Sequence, residues 1–419
     1  MKYLSENHKA ELLERFLKYV KIHTTGDCQA ADKGIQPSAR REFDLAELLA
    51  SELKEFGLQN VQVTQHCYVY ACLPASKGFE KVPAMCLLAH MDTACEVSGE
   101  NVKPNVIEHY DGSIINLNCN ISLDPAEDKA LAQAAKENDT IITTDGTTLL
   151  GADDKAGIAE IIAAIKFLTE NPKITHGKIE IIFSPDEETG HGMDNIPLNL
   201  LSSKRAYTVD GGHIGELEDE CFNAWKSDVY FTGHSVHTGT AREGHLVNAV
   251  TASSWFVSNL PRHEAPETTD RMQGFYAPLE ISASIEQAHI ALLLRDFSKD
   301  GIKKRINFVD NLAKLSAEAF GAQVKTVHTQ QYLNMKEKMN EHPEVVENLY
   351  KAYREAGIEP VNIPIRGGTD GSRLTEIGIP TPNIFTGGHN YHSRNEWASL
   401  QQMTATVEVL INLAVITAL

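Results

Sequence analysis

Residues 179–190 read IEIIFSPDEETG, a largely apolar run followed by Ser-Pro, three consecutive acids and Thr-Gly. A short run of branched and aromatic residues closed by a turn is typical of a buried β-strand. Similar short runs, each followed by a polar or glycine-rich turn, occur at residues 84–89, 206–209 and 383–385. These runs predict the buried strands of one α/β sheet.

Helical periodicity occurs before and between these runs. Apolar residues recur at helical spacing within residues 12–20 and 43–56, where Gly57 provides a stop, and again within residues 156–168. The last of these helices would connect two strands of the sheet. Ligands of such sheets gather at the carboxyl ends of the strands. The turns after the strands are therefore the places to look for chemistry.

Residues 222–333 follow a different order of elements. Their pattern predicts a strand at 229–233, a helix at 246–260, strands at 279–285 and 289–295, a helix at 301–320 and a strand at 323–329. The order βαββαβ is that of the ferredoxin-like split unit. We therefore predict an inserted α+β domain at 222–333, which divides a catalytic domain into residues 1–221 and 334–419.

Composition restricts the classes of function. The formal charge is 38 − 57 = −19, without a basic stripe, so a nucleic-acid partner is not expected. The seven cysteines include no CxxC pair, which favours a reducing compartment and disfavours a cysteine zinc site. The sequence shows neither an apolar signal core nor a run long enough to span a membrane. We expect a soluble, cytoplasmic protein of two domains that does not bind membranes.

Five turns carry side chains suited to metal binding, and all but one directly follow predicted strands. Taken singly, each has a simpler explanation as a strand end, a helix start, a solvated acidic turn or a loop histidine. Taken together they supply two imidazoles and three carboxylates, from His90, Asp153, Glu188, Asp210 and His392. That set fits two divalent ions that share one carboxylate, with zinc as first choice and cobalt or manganese as substitutes.

Two further acids adjoin these ligand positions. Asp92 lies two residues after His90, so in an extended chain both side chains could share one face. A carboxylate there suits the neighbourhood of a ligating histidine, whose second ring nitrogen commonly donates to an acceptor. Glu187 precedes the predicted ligand Glu188 and is free to act as general base.

Along most of its length the sequence resembles the tripeptide aminopeptidases within the family of dinuclear zinc aminopeptidases, carboxypeptidases and aminoacylases. The shared motifs are AHMDT at 89–93, TTDGTTLLGADDKAGIAE at 143–160, SPDEETG at 184–190, YTVDGG at 207–212, IRGGTDG at 365–371 and NIFTGGHNYH at 383–392. The resemblance implies a zinc-exopeptidase-like mixed sheet with helices on both faces and an inserted lid and dimerisation domain. It also implies release of the N-terminal residue from tripeptides.

The resemblance assigns roles to the five ligand positions, with Asp153 as the bridging carboxylate, Asp92 orienting His90 and Glu187 as the base. In the lid, the family's VHPGTA stretch and a following Asn correspond to His237 and Asn248, with Thr238 where proline is usual. This lid His completes the site of a neighbouring chain in the family, so we expect a homodimer.

Two arginines are candidate substrate-binding residues. Arg295 and Arg366 are candidates to bind a peptide carboxylate or carbonyl, since guanidinium offers a planar fork of donors; a surface salt bridge is the simpler role for each.

A dipeptidase, carboxypeptidase or aminoacylase of the same family would use the same metal residues. A binding or scaffold protein without metal would belong to another class, although such a protein would normally have lost some ligands.

Overall fold

The computed structural model describes residues 2–419, which fold into two compact units. Unit 1 comprises the described residues up to Asp219 together with Lys338–Ile363 and Thr369–Leu419. Unit 2 comprises Glu220–Glu337 and the short segment Pro364–Gly368. Among the described residues, no helix is both long and apolar enough to cross a membrane.

The elements are numbered along the chain. The strands are β1 Gln59–Val63, β2 Val69–Leu73, β3 Met85–His90, β4 Asn105–Ile107, β5 Ile115–Asn116, β6 Ser122–Leu123, β7 Ile141–Thr143, β8 Ile179–Ser184, β9 Ala206–Gly211, β10 Glu216–Glu218, β11 Asn223–Thr232, β12 Phe275–Ala283, β13 Gln287–Asp296, β14 Gln323–Tyr332, β15 Val361–Asn362, β16 Asn383–Phe385, β17 Gly388–His389 and β18 Trp397–Ser399. The helices are α1 Glu6–Tyr19, α2 Cys28–Ala31, α3 Glu42–Glu55, α4 Lys129–Lys136, α5 Ala152–Glu170, α6 Ala249–Ser258, α7 Lys299–Phe320, α8 Lys336–Glu341, α9 Pro343–Glu355, α10 Asp370–Ile377 and α11 Leu400–Ile416. Three short 3₁₀ turns lie at Thr238–Thr240, Arg262–Glu264 and Pro266–Thr268.

Unit 1 is built on an eight-stranded mixed sheet of order β1-β2-β8-β3-β9-β16-β10-β15. Its centre, β8-β3-β9-β16, is parallel, and β1 and β2 add an antiparallel margin. Every residue of β3 and β8 is buried, because both faces of the sheet are covered. On one face Leu88 and Ile182 pack with Leu374 of α10, and α5 also packs against β3 and β9. The predicted α/β sheet is confirmed.

A second antiparallel sheet in unit 1 has the order β17-β18-β7-β4. Trp397 of β18 is fully buried in a small core with Ile141 of β7 and Leu131 of α4. The sequence patterns did not indicate this sheet, because strands of two or three residues are too short to show a period. It matters for the site because β17 precedes the loop that carries His392.

Unit 2 has the predicted βαββαβ order, β11-α6-β12-β13-α7-β14. Its antiparallel sheet runs β12-β13-β11-β14, which is the ferredoxin-like arrangement. Helices α6 and α7 pack together and against the sheet, around a core that includes Val229, Phe256 and Ile290.

Candidate active site

The predicted metal ligands lie on turns at one edge of the unit 1 sheet. β3 ends at His90, which pairs in parallel register with Ser184 at the end of β8. Asp210 lies near the end of β9, and β3 also runs parallel to β9. Because parallel strands finish at the same edge, the turns that follow them are neighbours. The site therefore occupies the place where α/β sheets bind ligands.

Asp153 lies between the two histidines. Its Oδ1 is 2.9 Å from His90 Nε2, and its Oδ2 is 3.3 Å from His392 Nε2. The His392 ring nitrogen is also 3.0 Å from Glu188 Oε2, and His90 Nε2 is 3.7 Å from Asp210 Oδ1. The structure thus brings all five predicted ligands together. They form two halves, one around each imidazole, and the Asp153 carboxylate faces both.

The donor set fits divalent cations. Ligand atoms of His90, Asp153 and Glu188 lie within 4.8 Å of one another, as do those of His90, Asp154 and Asp210. Imidazole nitrogens mixed with carboxylate oxygens suit zinc, and also cobalt or manganese. Glu188 Oε1 is buried without a hydrogen-bond partner among the described residues, although buried carboxylate oxygens are normally paired. A cation would satisfy that oxygen.

The electrostatics of the cluster favour positive charge. Burial, together with the neighbouring Asp153, raises the pKa of Glu188 to about 7. Burial and the adjacent acids, Asp154 foremost, also raise the pKa of Asp210 well above its usual range. In turn, hydrogen bonds to Asp153 and Glu188 raise the pKa of His392 to about 11. Divalent ions would compensate the negative charge of these acids, and metal binding at such ligands releases protons.

Asp92 connects the two turns that carry ligands. Its carboxylate accepts the backbone N–H groups of Glu187 and Glu188, each at 3.0 Å. His90 Nδ1 lies 3.1 Å from the Asp92 carbonyl oxygen and 3.3 Å from its carboxylate Oδ1. Both acceptors would hold the proton of His90 on Nδ1 and leave Nε2 for a metal. This is the geometry expected of a residue that orients His90.

Glu396 supports the turn that carries Asp153 and was not identified from the sequence. This buried carboxylate accepts the backbone N–H groups of Leu150, Gly151 and Asp153 at 2.7, 2.8 and 3.1 Å. It therefore holds the turn that presents Asp153. The sequence feature that could have identified Glu396 is its position directly before β18, the strand that follows the His392 loop.

Asp154 has a supporting role of the same kind. Its Oδ2 accepts the backbone N–H of His90 at 3.1 Å, and its Oδ1 accepts the backbone N–H of Gly157 at 3.2 Å. Gly157 is required there, because a Cβ at that position would lie 1.9 Å from the Val209 carbonyl oxygen. The adjacent acids of the ADD motif thus divide their functions: Asp153 faces the cluster and Asp154 supports its backbone.

Glu187, the predicted base, is half-buried beside the cluster. Partial burial and the charge of Asp210 raise the pKa of Glu187 well above that of a solvated glutamate. Nearby, Ser184 donates a 2.5 Å hydrogen bond to Asp370 of the GGTDG motif. A carboxyl group with a raised pKa, as Glu187 has, is suited to accept and return a proton.

Three of the predicted substrate-binding residues are positioned within unit 2 as follows. His237 is exposed, and its Nδ1 accepts the Gly239 N–H at 3.1 Å, so the neutral ring carries its proton on Nε2. Asn248 is the N-cap of α6 and accepts the Val250 N–H. Arg295 is buried in β13, where it donates to backbone carbonyls and stacks over Tyr332.

Arg366 belongs to unit 2 and anchors a loop there. Its Nη1 donates to the carbonyl oxygens of Arg271 and Gln273, both at 2.8 Å, and its Nη2 donates to Thr269 Oγ1 at 2.9 Å. The guanidinium also lies over the ring of Phe222. These contacts engage both terminal nitrogens, so binding of a substrate carboxylate by Arg366 stays a prediction.

The fold and the cluster define a class of α/β protein with a candidate metal site at the edge of its sheet, and comparison with known families identifies that class. Residues 125–415 match Peptidase family M20/M25/M40, and the chain belongs to this family. It is 44% identical over 401 residues to Peptidase T of Clostridium perfringens, which covers 96% of this chain and 97% of that relative.

Two solved structures share the fold. The aminopeptidase PepT of Bacillus cereus superposes with a TM-score of 0.75 at 22% identity, covering 98% of this chain and 99% of that chain. A Bacillus subtilis protein described as a dinuclear metal binding peptidase of the M20 family superposes with a TM-score of 0.67 at 14% identity, covering 98% and 99%.

Proposed function

We propose that this protein is an aminopeptidase that releases the N-terminal residue of tripeptides with two bound zinc ions. The observation that carries the proposal is the Asp153 carboxylate, which directs one oxygen toward each of two histidines. Extended similarity to Peptidase T supports the choice of substrate. The seven scattered cysteines, without a CxxC pair, support our proposal that the protein is located in a reducing compartment, the cytoplasm.

Each half of the cluster would hold one ion. His90, Asp153 and Asp210 would bind the first, and His392, Asp153 and Glu188 the second. When bound, the ions supply a water of lowered pKa and polarise the carbonyl of the scissile bond. Asp92 and Glu396 keep the ligands in place through the backbone hydrogen bonds described above.

Glu187 would transfer the proton. Its raised pKa suits a group that takes a proton from the attacking water and then gives it to the leaving amine. His237, with its proton on Nε2, would donate a hydrogen bond to the developing oxyanion. Asn248, Arg295 and Arg366 would position the peptide. We further propose a homodimer formed through unit 2, in which His237 serves the partner's site.

A panel of peptides tests the proposed function directly. The panel contains di-, tri- and tetrapeptides of one composition, each free or blocked at either end, and includes an N-acyl amino acid. We expect hydrolysis of free tripeptides with release of the N-terminal residue, and loss of hydrolysis on N-terminal blocking. Release of the C-terminal residue, preference for dipeptides, or cleavage of the acyl compound would assign another specificity within the family. If metal-loaded protein hydrolyses none of these compounds, the proposed enzymatic function is wrong.

A further inference from the structure

Two cysteines of unit 1 lie unusually close together. Cys28 Sγ and Cys95 Sγ are 2.7 Å apart, and both residues are free thiols. A disulfide requires about 2.05 Å between the sulfurs, so a small movement would suffice to form one. Cys28, in the short helix α2, is exposed, whereas Cys95 is half-buried. The exposed thiol gives a soluble oxidant access to the pair.

The backbone already holds the two segments side by side. Thr25 and Thr93 form a parallel bridge, and the Gly26 N–H donates to the Thr93 carbonyl oxygen at 3.1 Å. Their hydroxyl groups are also 3.1 Å apart, and Thr25 Oγ1 accepts the Gly99 N–H at 3.0 Å. The proximity of the thiols thus follows from paired main chain and not from two mobile loops.

The segment of Cys95 continues directly to the candidate active site. The next residue is Glu96, whose Oε2 lies 3.8 Å from His392 Nδ1. Three residues before Cys95 is Asp92, which accepts the backbone N–H groups of Glu187 and Glu188. A covalent link at Cys95 would therefore restrain a segment that contacts two of the site's turns.

We propose that Cys28 and Cys95 form a reversible disulfide in the folded protein, and that this bond restrains the Glu96 segment beside His392. In a reducing compartment such a bond is a transient response to oxidant, the usual form of cytosolic disulfides.

The chemistry balances with a peroxide as oxidant. The Cys28 thiolate attacks one peroxide oxygen, giving a sulfenic acid and, after protonation, water. The Cys95 sulfur then attacks the Cys28 sulfur and displaces hydroxide, which takes the Cys95 proton and leaves as water. Two thiols are oxidised and one peroxide is reduced. Burial raises the pKa of Cys95 to about 12, which makes Cys28 the first thiol to react. A dithiol reductant reverses the bond.

The test treats the whole 419-residue protein, loaded with zinc, with limiting hydrogen peroxide. In the wild type we expect loss of two titratable thiols, a mass lower by two hydrogen atoms, and a linked peptide pair containing Cys28 and Cys95. C28S and C95S should not form this intramolecular link, whereas C119S, which removes another exposed cysteine, should behave as wild type. Reduction should restore both thiols.

Hydrogen exchange supplies the second measurement. Amides of residues 93–99 should exchange more slowly in the oxidised wild type than in the reduced form, and peroxide should not slow them in C28S. The proposal is overturned if all thiols survive, if Cys28 links to a different cysteine or only between chains, or if exchange in 93–99 does not change. Activity is not needed for any of these measurements, so their failure is separate from failure of the proposed function.

Discussion

His392 Nε2 lies 3.0 Å from Glu188 Oε2, although Glu188 follows a strand of the central sheet and His392 follows a strand of the second sheet. Neither turn can form this contact alone. Half of the candidate metal centre therefore depends on the way in which the two sheets of unit 1 pack. Because Asp153 faces both halves, changes in its side chain should affect both of the proposed ions.

Metal content should distinguish the bridging ligand from a terminal one. Wild-type protein should hold two divalent ions per chain and lose activity on chelation. Asp153→Asn should lose both ions, because each half loses an anionic ligand, whereas His392→Ala should keep one. Elemental analysis of protein dialysed against metal-free buffer measures this. Two ions retained in Asp153→Asn would show that Asp153 does not bridge.

Glu187→Gln should separate proton transfer from metal binding. We expect the variant to keep its two ions and to lose turnover by more than the roughly 10²–10⁴ typical of a general base, since water activation also suffers. The readouts are kcat with a free tripeptide and metal content. Glu14→Gln, at an exposed position of α1, is the matched control and should behave as wild type. Turnover near that of wild type in Glu187→Gln would refute the assignment.

Arg366→Ala tests two roles that make different predictions. If Arg366 binds the C-terminal carboxylate, kcat/KM should fall much more for free tripeptides than for amidated ones. If it only anchors the Thr269 loop, both substrates should lose equally and thermal stability should fall. Comparing the two substrates with the melting temperature distinguishes the roles. Arg366→Lys keeps the charge but not the planar fork.

Mixed dimers test action across the interface. Glu187→Gln and His237→Ala should each be nearly inactive as homodimers. In the heterodimer the Glu187→Gln chain still offers His237 to a partner with an intact cluster, so one working site should reappear. Heterodimers verified by mass should thus recover about half of wild-type activity per dimer. A monomer in solution, or inactive heterodimers, would exclude this arrangement.

A buried carboxylate away from the site should make stability depend on pH. Burial opposes ionisation of Glu180, but hydrogen bonds from Lys178 and from the hydroxyl and backbone of Ser203 lower its pKa to about 2. Since the folded pKa lies below the unfolded value, the stabilisation is complete above about pH 4.5 and is lost as pH falls toward 2.

Glu180→Gln should therefore reduce the free energy of unfolding by about 2–3 kcal/mol at pH 7. The difference from wild type should shrink steadily below about pH 4.5, because the Glu180 carboxylate of the unfolded chain takes up a proton there while that of the folded chain stays ionised until the pH approaches 2. Urea denaturation at a series of pH values measures both effects. An equal difference at pH 7 and at pH 3 would show that charge is not its origin.

The local patterns of the sequence determined the elements and the chemical types of the site. Short apolar runs between segments of helical periodicity predicted the α/β sheet, because strands covered on both faces are apolar throughout. The succession of strand and helix patterns likewise predicted the βαββαβ order of unit 2. Acids and histidines after apolar runs indicated metal binding, because turns at strand ends meet at one edge.

The tertiary structure alone decided how these residues pair. Each of these contacts joins residues that are distant along the chain. They are the contacts of the two Asp153 oxygens with His90 and His392, the hydrogen bond from Asp153 N–H to Glu396, the hydrogen bond from Arg366 to the Arg271 carbonyl oxygen, and the contact of Cys28 with Cys95. Strand order, hydrogen-bond register and packing between sheets set these distances, and no local period encodes them. A sequence pattern describes which face a residue occupies, whereas a site depends on which other residues share that face in the folded chain.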